Sequence, residues 1–312
     1  KKKLLEFYFQ VQNFLNVSDL VDENYEVYTE LAADGRFFLR LYCVRPAENL
    51  KLRLDRGNST VFFSATLLPV NYYKALLTGD QEDYAVYAQS PFEQAQRLLL
   101  IGMDVSSRYT RRGEQEYAKM AESISLTVTA RKGNYLIFFP SYQLMWDVYE
   151  RCEQMKGFTC VCQNPDMKEQ EREEFLKQFQ EERGTSLAAF CVMGGIFSEG
   201  IDLTGEQLIG AVIVGTGLPQ VCLERQVLKE YFDRKGMDGF AYAYLYPGMN
   251  KVLQAAGRVI RTTEDRGVIV LLDERFRSPA YQNLFPREWY PHTLCRVSEL
   301  SGYLESFWKE TS

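Results

Sequence analysis

Three side chains near the end of this chain have the types and spacing that phosphate chemistry asks for. They are Gln254, Arg258 and Arg261, in the run Gln254-Ala255-Ala256-Gly257-Arg258-Val259-Ile260-Arg261. On a helix turning about 100° per residue they fall within roughly 60° of one another. Met249, Val252, Leu253, Ala256, Val259 and Ile260 fill an arc of about 120° on the far side. The spacing therefore predicts an amphipathic helix with a cationic ridge. Guanidiniums keep their charge and donate in a fixed fork, so two of them beside an amide suit a phosphate that gains charge during transfer, as an arginine finger does. A plain solvated face is the competing reading, and the runs upstream weigh against it.

Further candidates lie where apolar runs end. Gly194-Gly195-Ile196-Phe197-Ser198-Glu199-Gly200-Ile201-Asp202-Leu203-Thr204-Gly205-Glu206 leaves a buried run with four glycines, a serine, a threonine and acids. Such a loop can bring backbone N–H groups and carboxylates to a ligand; a long polar turn is the alternative. Val61-Phe62-Phe63 reads as a buried strand closing on Ser64-Ala65-Thr66, which puts hydroxyls at a carboxyl strand end, where open α/β sheets hold ligands. Arg108-Tyr109-Thr110-Arg111-Arg112-Gly113 is the most basic stretch, either a solvated loop or a phosphate-contacting one.

The elements that must position these groups alternate. Leu4–Leu20 reads as a helix, followed by β-rich runs Tyr25–Thr29 and Phe37–Val44. Arg97–Met103 reads as a strand and Glu114–Ala130 as a helix. From Asn134 the pattern is regular: strand Tyr135–Phe139, turn Pro140-Ser141-Tyr142, helix Gln143–Met155, strand Phe158–Gln163, helix Asp166–Arg183, and strands Leu187–Met193, Leu208–Gly215 and Val268–Leu272. Strands alternating with helices predict an α/β, doubly wound, mainly parallel sheet. Residues 1–60 are expected to form an N-terminal segment and 61–312 the α/β domain.

Composition narrows the class. With 312 residues, 46% hydrophobic, the chain can bury a sizeable core. A net charge of −6 argues against a protein that lives by wrapping nucleic acid, though not against a local basic groove. No apolar run approaches a bilayer span, and seven cysteines, an odd number, do not suggest a disulfide framework. A cytoplasmic protein without a membrane partner is the expectation. The start at Lys1 suggests a piece of something longer. Cys152, Cys160 and Cys162 are expected to be buried apolar thiols rather than metal ligands, and with His292 as the single histidine, imidazole-based zinc or acid–base chemistry is excluded. The absence of any Gly-Lys dipeptide removes the phosphate-cradling P-loop.

Taken in order, Ser-Ala-Thr-Leu, Phe-Phe-Pro-Ser-Tyr, Phe-Ser-Glu-Gly-Ile-Asp-Leu-Thr-Gly-Glu and Gln-Ala-Ala-Gly-Arg-Val-Ile-Arg resemble the second motor lobe of superfamily 2 helicases, within them the XPD/DinG branch. The resemblance runs from about Phe37 to Trp289 and implies a RecA-like lobe of the P-loop NTPase type. It implies that Arg258 and Arg261 reach the γ-phosphate of ATP bound, with Mg²⁺, on a first lobe of the same polypeptide, with Gln254 as their partner. Glu199, Gly200 and Asp202 are implied to sense nucleotide. Ser64 and Thr66 are implied to couple hydrolysis to strand movement, and Ser141, Tyr142 and Ser198 to lie near the phosphates of a tracked single strand of DNA. The family's iron–sulfur cluster would belong to the missing half. The Asp273-Glu274-Arg275 run imitates a metal-binding acidic pair, but its place after the arginine run implies a structural Asp-x-Arg pair.

The expectation is the C-terminal lobe of an ATP-dependent DNA helicase, of the kind met in DNA repair, moving 5′ to 3′ as a monomer and inactive as an ATPase on its own. Its rivals are a scaffold that kept the fold without the motor and an RNA-directed superfamily 2 motor.

Overall fold

The computed structural model describes residues 2–198 and 203–309. In chain order these form α1 (Lys2–Ser18), β1 (Tyr25–Leu31), β2 (Phe37–Cys43), α2 (Ala47–Leu54), α3 (Val70–Leu77), β3 (Arg97–Gly102) and α4 (Glu114–Ala130). Then come β4 (Asn134–Phe139), α5 (Tyr142–Glu153), β5 (Phe158–Cys162), α6 (Glu169–Lys177), β6 (Ser186–Val192), β7 (Gly210–Val214) and α7 (Leu223–Arg234). A π-helical turn (Ala241–Leu245) leads into α8 (Tyr246–Ala256), followed by β8 (Gly267–Leu272), α9 (Pro279–Gln282), β9 (Thr293–Cys295) and α10 (Leu300–Lys309). None of these helices is long and apolar enough to cross a membrane.

Two compact units share the chain: residues 1–87 with 220–246, and residues 88–219 with 247–312. The units thus divide elsewhere than at the expected 60/61, because residues 61–87 cluster with the first and the excursion 220–246 rejoins it.

In the first unit β1 and β2 form an antiparallel hairpin, with Val27 opposite Leu41, Thr29 opposite Leu39 and Leu31 opposite Phe37. Strand side chains alternate, so these pairs share one face. An aromatic cluster packs α3 against α7 and the π-helical turn: Tyr72 lies 5.2 Å from Tyr242, which stacks on Phe232 at 4.0 Å. Helix α1 buries none of its residues. The expected buried strand Val61-Phe62-Phe63 is not one; the segment has no regular structure, and the three residues are 79%, 38% and 90% exposed. An apolar run becomes a strand only where a neighbour offers it a ladder, and among the described residues none does.

The second unit is built on a seven-stranded sheet of order β5-β6-β4-β7-β8-β3-β9, every pairing parallel. Strands β4, β6, β7 and β8 are buried almost end to end, which is why they read as continuous apolar runs rather than alternating ones. One alternating set, including Ile137, Phe139, Phe190, Val212 and Val270, packs with Ile124 of α4, Val148 of α5 and Leu304 of α10. The opposite set, Leu136, Phe138, Ala189, Ile213 and Leu271, is equally buried. The sheet is therefore covered on both faces, as a doubly wound sheet must be. Helix α6 is shorter than the expected 166–183: it begins after Lys168, whose N–H is capped by Glu171 Oε2 at 2.6 Å, and gives way to turns after Lys177.

Candidate functional site

The carboxyl edge of this sheet is built from the turns that leave β4, β6, β7, β8 and β3. After β4, Pro140 breaks the strand and Ser141 caps α5, its Oγ accepting the Leu144 N–H at 3.4 Å. Tyr142 follows, and its hydroxyl accepts a hydrogen bond from Gln163 Nε2 at 2.9 Å. Gln163 is the residue after β5 and only 3% exposed. Its N–H makes the last rung to Phe190 O at 2.8 Å, and its side-chain Oε1 then accepts the Val192 N–H at 3.1 Å, as a further backbone carbonyl would. The amide orientation is fixed by this, since the oxygen must face the N–H and the nitrogen the phenol. Gln163 thus joins the Ser141-Tyr142 turn to the start of the glycine loop, and no motif in the sequence marks it.

At β7 the edge is tight. A Cβ on Gly215 would stand 2.5 Å from Ser107 Oγ and 3.5 Å from Pro140 Cγ, so the turns after β3 and β4 lie side by side across this glycine. Two residues on, Gly217 has φ +66 and a Cβ there would meet Gly248 O at 2.6 Å, which lets α8 approach the backbone of the β7 turn.

After β8 comes a buried charge network. Asp273 is fully buried and receives the Ser107 N–H (3.0 Å), the Ser107 hydroxyl (2.7 Å) and a two-pronged Arg275 guanidinium (2.7 and 2.8 Å). Burial alone would raise its pKa, but the hydrogen bonds and charge of Arg275, with Ser107, hold it below the ordinary carboxylate range. The Asp-x-Arg pair is structural: it anchors the turn after β3 to the end of β8. Glu274 takes Arg108 at 3.3 Å, Arg111 at 3.0 Å and the Ser106 hydroxyl at 3.1 Å, while the buried Glu116 takes Arg111 at 2.5 Å and the Ser106 N–H at 2.9 Å. Two of the three arginines in the basic stretch are therefore held by carboxylates.

The arginine run departs from the expected helix. Helix α8 ends at Ala256, just before Gly257, and Arg258 and Arg261 lie in the turns that follow, so the ridge drawn at helical spacing does not exist beyond Gln254. Glycine at this place lets the chain leave the helix, and the N–H groups of Arg258 and Val259 reach back only three residues, to Ala255 O and Ala256 O. The buried stripe is nonetheless real: Met249, Val252, Leu253, Ala256 and Val259 are all buried.

What organises the arginines instead is the crossover that leads from β6 to β7. A Cβ on Gly194 would stand 3.1 Å from the Lys251 side chain, Arg258 Nε donates to Ser198 O at 3.1 Å, and Asp265 joins the Arg261 turn to Gly205. The described residues of the two segments thus meet in the same order along both: Gly194 by Lys251, Ser198 by Arg258 and Gly205 by Asp265. Asp265 is the keystone: it accepts the N–H of Arg261 (2.6 Å), of Thr262 (2.8 Å) and of Gly205 (3.0 Å), and the Thr262 hydroxyl (2.8 Å). Its burial would raise its pKa, and these donors bring it below the ordinary value. Gln254 and Arg258 are half-buried and Arg261 is exposed.

A family model described as the helicase C-terminal domain matches residues 124–292, more than half of the chain. The chain belongs to the helicase C-terminal domain family. A probable ATP-dependent helicase of Methanocaldococcus jannaschii is 27% identical over 294 residues, 88% of this chain and 43% of that protein. The XPD/RAD3 helicase subunit of the general transcription and DNA repair factor IIH of Saccharomyces cerevisiae is 27% identical over 277 residues, 82% of this chain and 35% of that one. A solved XPD helicase superposes with a TM-score of 0.66 at 20% identity, covering 92% of this chain and 50% of its own, which establishes a common fold. The chain spans less than half the length of these two relatives. It is an XPD-like second lobe of a superfamily 2 helicase, with a RecA-like sheet.

Within this helicase C-terminal domain the expected site residues fall into separate groups. Ser141 and Tyr142 stand on the carboxyl edge, and Gln254, Arg258 and Arg261 on the flank beside the crossover. Ser198 is fully buried, its hydroxyl bonded to Gly195 O at 2.7 Å, so it shapes the crossover and offers no surface to a strand. Ser64 and Thr66 belong to the other compact unit, where the two hydroxyls lie 3.3 Å apart. Glu199, Gly200 and Asp202 lie outside the described residues. Among the described residues no group of three or more His, Cys, Asp or Glu side chains is arranged to hold a metal. Burial pushes the Cys152 thiol well up and that of Cys160 to about 12, so neither is a ready thiolate.

Sequence reasoning missed Gln163, Asp265 and Lys251. Lys251 had a signal, since it lies three residues before Gln254 and seven before Arg258, on the same helical side. Asp265 had a weaker one in the Thr262-x-x-Asp265 spacing of a side-chain-capped turn.

Proposed function

We propose that this lobe is half of a composite ATPase that drives a helicase along single-stranded DNA. ATP with Mg²⁺ would be bound by the first lobe of the same polypeptide, and Arg258 and Arg261 would close over the γ-phosphate from this side. The observation that carries the reading is the pairing of the arginine turn with the crossover. Ser198, on the part of the crossover that leaves the carboxyl edge, accepts Arg258 Nε at its carbonyl, and Asp265 ties Gly205 to the Arg261 turn. Any movement of the arginines toward a phosphate is thereby linked through a short stretch of backbone to the edge where a strand would lie. When bound, ATP supplies the anhydride whose cleavage drives the cycle. The chain's own part is to place two fixed positive charges, to link them to the carboxyl edge and to let go after hydrolysis.

The scaffold reading is the weaker one, because nothing in a scaffold calls for the Arg261 turn to be fixed by Asp265, which accepts the N–H groups of Arg261 and Thr262 and the Thr262 hydroxyl and ties them to Gly205. Movement 5′ to 3′ and a monomeric state rest on the family resemblance alone, and an RNA-directed motor would be separated by comparing stimulation by single-stranded DNA and RNA. The test is Arg261→Ala in the full-length protein. An arginine finger is worth about 10³–10⁵ in rate, so ATP turnover should nearly vanish while single-strand binding persists. Ordinary turnover in that variant would refute the assignment.

A further inference from the structure

The turn after β3 holds an aromatic ring in an unusual setting. Tyr109 is 84% exposed, yet the backbone on both sides of it is fixed. Ser106 and Ser107 are bound by the carboxylates of Glu116, Glu274 and the fully buried Asp273. Arg108 and Arg111 are bound by Glu274 and Glu116. Arg112 donates its Nε to Ser107 O at 3.3 Å, and its guanidinium stands 5.6 Å from the Tyr109 ring. A side chain meant only to be solvated does not need such a footing, whereas a ring that must meet a flat partner does.

The place is also informative. Ser107 and Pro140 both border Gly215, so Tyr109 and the Ser141-Tyr142 turn stand on the same carboxyl edge. Strands β4 and β3 are separated by two others in the sheet, yet the turns that leave them converge on this glycine. An exposed aromatic face beside cations is the general device by which single strands are held without regard to sequence, the base stacking on the ring and the phosphate meeting the charge.

We propose that Tyr109 is a stacking platform for one base of the single strand that crosses this edge, with Arg112 meeting the adjoining phosphate. This rests on the reading of the carboxyl edge as the strand-binding edge. Removing one such stack weakens binding about five- to more than a hundredfold.

The experiment measures binding of a fluorescent oligothymidylate to the full-length protein at fixed salt. Tyr109→Ala should weaken binding by that factor and Tyr109→Phe should restore it, since the ring and not the hydroxyl is used. An abasic strand of equal length should bind the unsubstituted protein and Tyr109→Ala alike. In Tyr109→Trp the added emission should be that of an exposed indole and should be quenched by the oligonucleotide. Tyr109→Ala binding as tightly as the unsubstituted protein would overturn the platform while leaving the motor reading intact. Failure of the unsubstituted protein to bind single strands would bring down both. An added emission already characteristic of a buried indole before any strand is present would show the ring covered by another part of the protein, and would also overturn the proposal.

Discussion

Replacing Gln163 by Leu removes a side chain that acts as an extra rung of the sheet. The substitution conserves apolar bulk but loses the acceptor for the Val192 N–H, at 3.1 Å, and the donor to the Tyr142 hydroxyl, at 2.9 Å. Two net hydrogen bonds at about 1 kcal/mol each, plus the cost of a donor left without an acceptor, about 1–3 kcal/mol when buried, set the scale. Val192 is only half-buried, so the low end of that cost applies and the expected loss is about 2–3 kcal/mol. Tyr142→Phe removes one of the bonds and should cost about 1 kcal/mol, and in the Gln163→Leu background it should cost almost nothing. The assay is denaturant unfolding followed by tryptophan fluorescence. The three tryptophans, Trp146, Trp289 and Trp308, all lie in the unit that carries the seven-stranded sheet, so the signal reports that unit and not the other. A Gln163→Leu loss below about 0.5 kcal/mol, within the range of a surface change, or additive effects of the two substitutions, would refute the claim that the amide bridges the turns.

The same fluorescence assay should show stability falling as the pH drops below about 4, because Asp265 and Asp273 titrate below the ordinary aspartate value of 3.8 in the fold. A depressed carboxylate contributes stability that is full above the unfolded pKa and is lost as pH falls through the folded one; Asp265→Asn should therefore lower stability at neutral pH and flatten the acid limb, and an unchanged limb would contradict the assignment. Gly217→Ala should cost about 1–3 kcal/mol for a side chain forced to positive φ, and more if α8 cannot yield from its contact with Gly217; a neutral result by the same measurement would show that the turn can relax. The 312-residue chain by itself should not hydrolyse ATP, with or without single-stranded DNA, and robust turnover in a phosphate-release assay would contradict the composite-site reading.

Much of the sheet was legible because β4, β6, β7 and β8 are short apolar runs bounded by turn residues, and burial on both faces leaves no other use for such runs. Helix α4 was read with its observed ends, Glu114 and Ala130. The arginine run was misread locally for a physical reason. Val259 and Ile260 continue the apolar period past Gly257, so the pattern of burial outlasts the helix that produced it, and periodicity reports burial rather than hydrogen bonding. Val61-Phe62-Phe63 failed in the opposite sense, since the composition suits a strand but a ladder partner is a property of other residues. Gln163 was invisible because a glutamine after a strand is ordinary; only the register of β5 against β6, ending one residue short, gives its amide an N–H to receive.

The contact between Gly217 and Gly248 has a topological consequence. The chain leaves the second unit after Pro219 and re-enters it at Pro247, and the glycines flanking those two points touch. The gap to be spanned is therefore no wider than a tight bend, whatever is spliced into it. Exit and re-entry this close let the chain contribute residues 220–246 to the other unit without redrawing the wiring of the strands.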